Sequence, residues 1–65
     1  MKAYNVEYGT KVVVVDNDII TPVGSLPIKK GDEITIYRPD GMYCNGEDAN
    51  GNRIYIFVTT EVEPI

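Results

Sequence analysis

The chain has 65 residues, close to the lower limit at which a hydrophobic core alone offsets the loss of chain entropy, so we expect one domain over residues 1–65. It carries 10 acidic and 6 basic residues, and the resulting formal net charge of −4 opposes binding to nucleic-acid phosphates. The absence of histidine removes the commonest proton shuttle at neutral pH, and the single cysteine, Cys44, excludes an intrachain disulfide.

Apolar runs in the sequence are short. The four valines at residues 12–15 fall far short of a membrane span, and no charged-then-apolar leader opens the chain. We therefore expect a soluble cytoplasmic protein that does not bind membranes. The lone Cys44 fits a reducing compartment.

The N-terminal third contains one clear strand. Residues 1–11 are interpreted as an arm or an extra strand, because Tyr4, Val6 and Tyr8 alternate with polar residues. The valines at residues 12–15 are all β-branched, which disfavours a helix and predicts a core strand.

A long loop is predicted next. Residues 16–25 contain several turn-forming residues around the apolar pair Ile19-Ile20, which is typical of a partly ordered loop. The sequence Lys29-Lys30-Gly31-Asp32 then indicates a turn. Ile34 and Ile36 alternate with more polar residues and predict a half-buried strand.

Two reversals divide the rest of the chain. Arg38-Pro39-Asp40-Gly41 is predicted to end the strand, so that the next one starts near Met42. Asn50-Gly51 predicts a type I′ hairpin turn joining residues 42–48 to residues 52–58. Val62 adds a short final strand, and no apolar pattern supports more than a single helical turn.

This all-β pattern resembles the Src homology 3 (SH3) family over residues 12–65. The similar segments are Val14-Val15 for the first strand, Leu26 to Ile34 for the diverging turn, Asp40 to Tyr43 for the third strand and Glu61 to Glu63 near the end. The resemblance implies a five-stranded small barrel with a long loop after the first core strand, preceded by the N-terminal arm or extra strand.

The resemblance also implies where a ligand would bind. The positions of the family's ligand-binding aromatic residues are occupied here by Asp16, Asp18, Met42, Val58 and Glu61. A polyproline helix stacks on aromatic rings, and carboxylates in their place would have to be desolvated, so we expect no proline-rich ligand. We expect Met42 and Cys44 to point inward, which leaves Tyr43 outside as a ligand contact and avoids burying Asn45.

Metal-binding and catalytic patterns are incomplete. Residues 48–52 imitate the start of a calcium loop, but Arg53 and Thr59 occupy the positions that require glycine and glutamate. Asp16 and Asp18 are interpreted as loop-capping residues rather than metal ligands. Cys44 is expected to be a small buried hydrophobe. We therefore predict no metal, no cofactor and no enzymatic activity.

Two functional hypotheses remain. The first is a non-catalytic protein-interaction module, small inhibitor or adaptor that binds a larger protein, because tyrosine is enriched in interfaces. Cross-strand packing is the alternative role of the tyrosines. A phage or mobile-element source is a further hypothesis from the small size. We expect a monomer or weak dimer with these candidate partner-binding residues: Tyr43, Tyr37, Asp16, Asp18 and Glu61.

The second hypothesis is a nucleic-acid-associated small barrel. It would use Tyr43 for stacking, with Arg38 and Arg53 as phosphate contacts. A variant is an acidic mimic of DNA. The net charge disfavours direct nucleic-acid binding, which would weaken steeply with added salt.

Overall fold

One antiparallel sheet makes up most of the computed structural model, which describes residues 1–19, 21–22 and 24–65. Its strands are β1 (Thr10–Val14), β2 (Glu33–Asp40), β3 (Tyr43–Glu47), β4 (Arg53–Phe57) and β5 (Val62–Pro64). They lie in the order β4-β3-β2-β1-β5. The all-β prediction is confirmed. Within the described residues β4 and β5 do not pair, so hydrogen bonds do not close the sheet into a barrel.

The core lies on one face of the strands because inward and outward side chains alternate. In β2, Ile34 and Ile36 are buried, whereas Thr35 and Tyr37 are half-buried on the other face. Each fully buried aliphatic side chain contributes roughly 1.5–3 kcal/mol relative to exposure. The largest fully buried side chains among the described residues are Val12, Val14, Ile34, Ile36, Cys44, Ile54, Ile56 and Val62.

Side-chain orientations were predicted for residues 42–44, and two of the three are correct. Cys44 is fully buried and Tyr43 is 38% exposed on the outer face. The inward orientation predicted for Met42 is wrong, because its side chain is 66% exposed. Met42 lies in the turn between Asp40 and Tyr43, which form the first pair of the β2–β3 ladder, so the strand alternation does not extend to it.

Strand β2 is longer than predicted and contains a bulge. It continues through Pro39 to Asp40. Strand β1 pairs only with the Glu33–Ile36 part of β2, so no hydrogen bond to β1 is lost because Pro39 lacks an N–H group. Ile36 pairs with Gly46 and Pro39 with Cys44, so two residues of β2, Tyr37 and Arg38, lie opposite the single Asn45.

The N-terminal segment is bound to the far end of the sheet. The Ala3 N–H donates to the Thr60 carbonyl at 2.9 Å, and Met1 and Val62 exchange two backbone hydrogen bonds. Residues Ala3–Asn5 form a 3₁₀ turn whose Ala3 side chain is buried in the core. Backbone groups on the outer side of β5 are thereby covered by the chain itself.

Residues 15–32 connect β1 to β2 and contain no strand among those that the structure describes. Ile20, placed in the long loop by the sequence, lies outside the described residues. The turn predicted at residues 29–32 is confirmed, since the Asp32 N–H donates to the Lys29 carbonyl at 3.1 Å. Gly31 has φ +94°, as the third residue of a type II turn requires.

The β3–β4 hairpin is present, but the predicted type I′ turn is wrong. Such a turn needs positive φ at both central residues, whereas Gly51 has φ +82° and Asn50 does not have positive φ. Asp48 explains the difference, since one of its carboxylate oxygens accepts the N–H groups of Asn50 and Asn52, each at 2.9 Å. These bonds stabilise a longer loop in which Gly51 has a left-handed backbone conformation and Asn50 does not.

Gly51→Val should lower the free energy of unfolding by more than about 1 kcal/mol, because a β-branched residue is strained at positive φ. Asn50→Ala should cost less than about 0.5 kcal/mol, as expected of an exposed substitution away from special geometry. Urea denaturation of both variants measures the difference. An equal loss in the two would contradict the observed loop and favour the type I′ turn.

None of the helical residues in the described part of the chain forms a segment with the length and apolar character needed to span a bilayer.

Candidate functional site

An aromatic pair, the exposed Tyr43 and the half-buried Phe57, lies at one end of the β3–β4 hairpin. Tyr43 and Phe57 are directly opposite each other in the ladder, and their ring centroids are 5.0 Å apart with the planes tilted by 50°. Edge-tilted aromatic pairs at this separation attract each other beyond the area that they bury. The pair is therefore a rigid apolar feature on the outer face of the sheet.

Two carboxylates lie beside Phe57, the inner member of this pair. Asp16 and Asp18, from the start of the β1–β2 connection, line a cavity of about 230 Å³ together with Phe57, Thr59 and Thr60. The acidic–aromatic surface, as we name it, consists of Asp16, Asp18, Tyr43, Phe57 and Thr59. Three of the five residues predicted from the sequence to contact a partner thus belong to one surface.

Asp16 also fixes the loop that carries it. Its two carboxylate oxygens accept the backbone N–H groups of Asp18 and Glu61, both at 3.0 Å. The bond from the Glu61 N–H, followed by that from Asp18, lowers the pKa of the Asp16 carboxyl from its ordinary value. This residue joins the first part of the β1–β2 connection to the beginning of β5.

Asp16→Asn should destabilise the fold at neutral pH, because a neutral amide has one oxygen where the native carboxylate uses two to accept N–H groups. The pKa of Asp16 is lowered on folding, so its contribution is present above its ordinary pKa of 3.8 and disappears as the pH falls through the lower folded-state value. Urea midpoints of the wild type and the variant should therefore converge in acid.

Asp18→Asn is the matched control, because the Asp18 carboxylate accepts no hydrogen bond from another described residue. It should leave the urea midpoint nearly unchanged. A difference between wild type and Asp16→Asn that is the same at every pH would contradict the role of the ionised carboxylate.

Glu61 is engaged by the N-terminal segment instead of facing the cavity. Its carboxylate lies 2.7 Å from the Lys2 ammonium and 3.4 Å from the N-terminal ammonium. The hydrogen bond from Lys2 is the largest cause of the lowered pKa of Glu61. Such exposed ion pairs contribute little to stability, but they hold this carboxylate near the chain terminus.

Tyr37 lies on a second surface. Its hydroxyl donates to Glu47 at 2.9 Å, which raises the pKa of the phenol, and its ring centroid is 5.4 Å from that of Tyr8. The two tyrosines line a groove of about 580 Å³. This tyrosine–arginine groove is lined by Tyr8, Tyr37, Arg38, Asn45, Gly46, Glu47, Gly51 and Arg53.

The β2 bulge brings Arg38 into this groove. In a regular strand, successive side chains point to opposite faces, so Tyr37 and Arg38 would diverge. Because both residues lie opposite Asn45, the bulge turns both side chains towards one groove. Arg53 reaches the same groove from the start of β4.

No protein-family model matches the chain, and searches of the curated proteins and of the solved structures found no significant match.

The remaining candidate for a reactive side chain is the thiol of Cys44. Cys44 is fully buried, as expected for a small core hydrophobe, and burial raises the pKa of its thiol. Across the residues described, no three Asp, Glu or Cys side chains are placed to hold one metal ion. The Asp48 carboxylate, the first oxygen of the calcium-like segment, instead accepts hydrogen bonds within its own turn.

Sequence reasoning did not predict that Phe57 and Tyr8 line these two surfaces. Phe57 could have been found from the β3–β4 hairpin, since a ladder joining residues 42–48 to residues 52–58 places an aromatic residue opposite Tyr43. Tyr8 had no such signal. Its position depends on the Gly9 N–H donating to the Ile36 carbonyl at 2.7 Å, a contact between segments distant in the chain.

Proposed function

We propose that this chain is a non-catalytic protein-interaction module, acting as a small adaptor or inhibitor that binds a larger protein. The observation that carries the proposal is the Tyr43–Phe57 pair, in which Tyr43 is exposed and the half-buried Phe57 lines one cavity with Asp16 and Asp18. Rigid aromatic side chains supply contact area at low entropic cost, and neighbouring charges select the partner.

An SH3-like fold is part of this proposal. It is supported by the long connection between β1 and β2, the turn at residues 29–32 and the use of β2 as a partner of both β1 and β3. The curvature introduced by the bulge would bring the sheet towards the barrel form that the resemblance implies. The fold alone does not set the ligand.

The chemistry of the surface favours a cationic partner with an apolar residue. Lysine or arginine side chains can pair with Asp16 and Asp18 while lying against the rings of Tyr43 and Phe57. A neutral proline-rich peptide would leave those carboxylates unpaired and partly desolvated. The partner is therefore expected to present a basic segment next to a hydrophobic side chain.

Affinity capture from a bacterial lysate with tagged protein tests the proposal. Wild type should retain a stoichiometric protein, identified by mass spectrometry, and Tyr43→Ala should lose it, because the substitution removes half of the aromatic pair. Retention should also fall with added salt, as paired charges are screened.

Tyr8→Ala is the matched control, since Tyr8 is an exposed tyrosine, 70% accessible, on the other groove. It should leave retention unchanged. Failure to retain any protein, or equal loss with both variants, would contradict binding through the acidic–aromatic surface.

A further inference from the structure

The tyrosine–arginine groove is separate from the surface used in the proposed function, and its composition is unusual for this chain. Arg38 and Arg53 are the only arginines in an acidic sequence, and both line the same groove. Within the described part of the chain neither forms an ion pair, although Lys2 and Lys29 do. The groove is therefore lined by two arginines that form no ion pair with a described residue.

Guanidinium groups favour a particular class of ligand. Their planar donors match the oxygens of a phosphate or carboxylate, which they bind through paired hydrogen bonds. The two arginines outnumber the one carboxylate that lines the groove, that of Glu47, so the lining has a formal net positive charge that favours a phosphate group. The groove thus has the chemistry of an anion site despite the net charge of −4 of the whole chain.

An aromatic surface accompanies the two charges. The Tyr8 ring is 70% exposed, and its position is held by the Gly9 hydrogen bond to Ile36 and by the contact with Tyr37. A flat heterocycle can stack on such a ring, as nucleic-acid bases stack on aromatic side chains in single-strand-binding proteins. A simple anion would make no use of this ring.

The groove also contains groups able to contact hydroxyls or a base edge. The Tyr37 hydroxyl donates to one carboxylate oxygen of Glu47, and the second oxygen receives no hydrogen bond from any described residue. Asn45 is half-buried, lines the same groove, and carries both a donor and an acceptor. Acceptors of this kind suit ribose hydroxyls and exocyclic amines.

We infer that the tyrosine–arginine groove binds a nucleotide, with its phosphate between Arg38 and Arg53 and its base against Tyr8. The volume of about 580 Å³ lies within the range of small-ligand sites. A single nucleotide unit, free or within a short single strand, suits the groove better than a long polyanion, which the net charge of the chain repels. An acidic peptide would satisfy the arginines but leave the Tyr8 ring unused.

Nitrogen-15 NMR titrations of the full chain test the inference. The probes are adenosine, guanosine, cytidine and uridine monophosphates, inorganic phosphate, hexaglutamate and a decathymidylate strand. At least one monophosphate should bind saturably and shift the amides of residues 8, 37–38, 45–47 and 53. Arg38→Gln and Tyr8→Ala should each weaken it about tenfold, through loss of a charge-assisted contact and of stacking.

The controls are Tyr4→Ala, an exposed tyrosine outside the groove, and Lys29→Gln, an exposed cation in the residue 29–32 turn. Both should leave the affinity unchanged. Tighter binding of decathymidylate than of the monophosphates supports a nucleotide within a strand, whereas weaker binding supports a free nucleotide.

Several results would overturn the inference. They are the absence of saturable binding by every monophosphate and by decathymidylate, equal binding of inorganic phosphate or hexaglutamate, and equal weakening by the control variants. Circular dichroism spectra establish that each variant is folded. Because Tyr43 is outside this groove, Tyr43→Ala should leave nucleotide affinity intact, so this site and the proposed protein-binding surface succeed or fail independently.

Discussion

Gly46→Ala is expected to be among the most destabilising single substitutions in the chain, lowering the free energy of unfolding by about 3 kcal/mol. Gly46 lies in β3 between Ile36 and Ile54 of the neighbouring strands. A Cβ atom at this position would clash with the Thr35 carbonyl oxygen and would lie 3.2 Å from Ile54 Cδ1. The closer contact is with backbone, so β2 and β3 would have to separate. Urea denaturation measures the loss.

Gly9→Ala is the comparison that isolates the clash. An added Cβ at Gly9 meets nothing within 4 Å, so its cost comes only from the positive φ of +83° and should be about 1 kcal/mol. Trimming Ile54 to Val in the Gly46→Ala background should recover little, because the Thr35 oxygen remains. A cost for Gly46→Ala no greater than for Gly9→Ala would contradict the close approach of β2 and β3.

Ile54→Ala should lower the free energy of unfolding by about 3–4 kcal/mol, the usual cost of a cavity in a close-packed core. Its side chain is fully buried on β4, opposite Gly46. At 65 residues the total stability is expected to be roughly 3–10 kcal/mol, so this substitution removes a large share of it. Thermal and urea denaturation should both show the loss.

Ile54→Val is the conservative control and should cost about 1 kcal/mol, since it removes one methyl group. The two losses should therefore differ severalfold. A small effect of Ile54→Ala would mean that the inner face of β4 is more accessible than the structure shows.

Local patterns were sufficient to predict much of the fold. Ile34 and Ile36 alternate with half-buried residues, and the two isoleucines are buried as that alternation predicts. The turn at residues 29–32 was also correct, because glycine at the third position specifies the reversal largely by itself. These features depend only on residues adjacent in the sequence.

Features that depend on contacts between strands were not predictable. The sequence predicts that Pro39 ends β2. The strand instead continues to Asp40, because β1 does not pair with β2 at Pro39 and no hydrogen bond to β1 is needed there. The bulge at Tyr37 and Arg38 arises from the register with β3, and no sequence signal marked it. It determines the tyrosine–arginine groove.

The candidate surface was predicted only in part, because it too depends on contacts between distant segments of the chain. The resemblance pointed to Asp16, Asp18 and Glu61, and the inward–outward alternation of β3 pointed to Tyr43. Asp16 and Asp18 lie beside Phe57, the ring partner of Tyr43, whereas the Glu61 carboxylate is paired with Lys2. The pairing of Glu61 depends on the N-terminal segment, which lies outside that resemblance. The contacts between the N-terminal segment and Glu61 could therefore not be predicted from the sequence pattern.

The most direct test of the acidic–aromatic surface is an NMR titration of isotope-labelled protein with the partner recovered by affinity capture. We expect the largest amide shifts at residues 16–18, 43 and 57–59. Shifts confined to the tyrosine–arginine groove, at residues 8, 37–38 and 53, would contradict it.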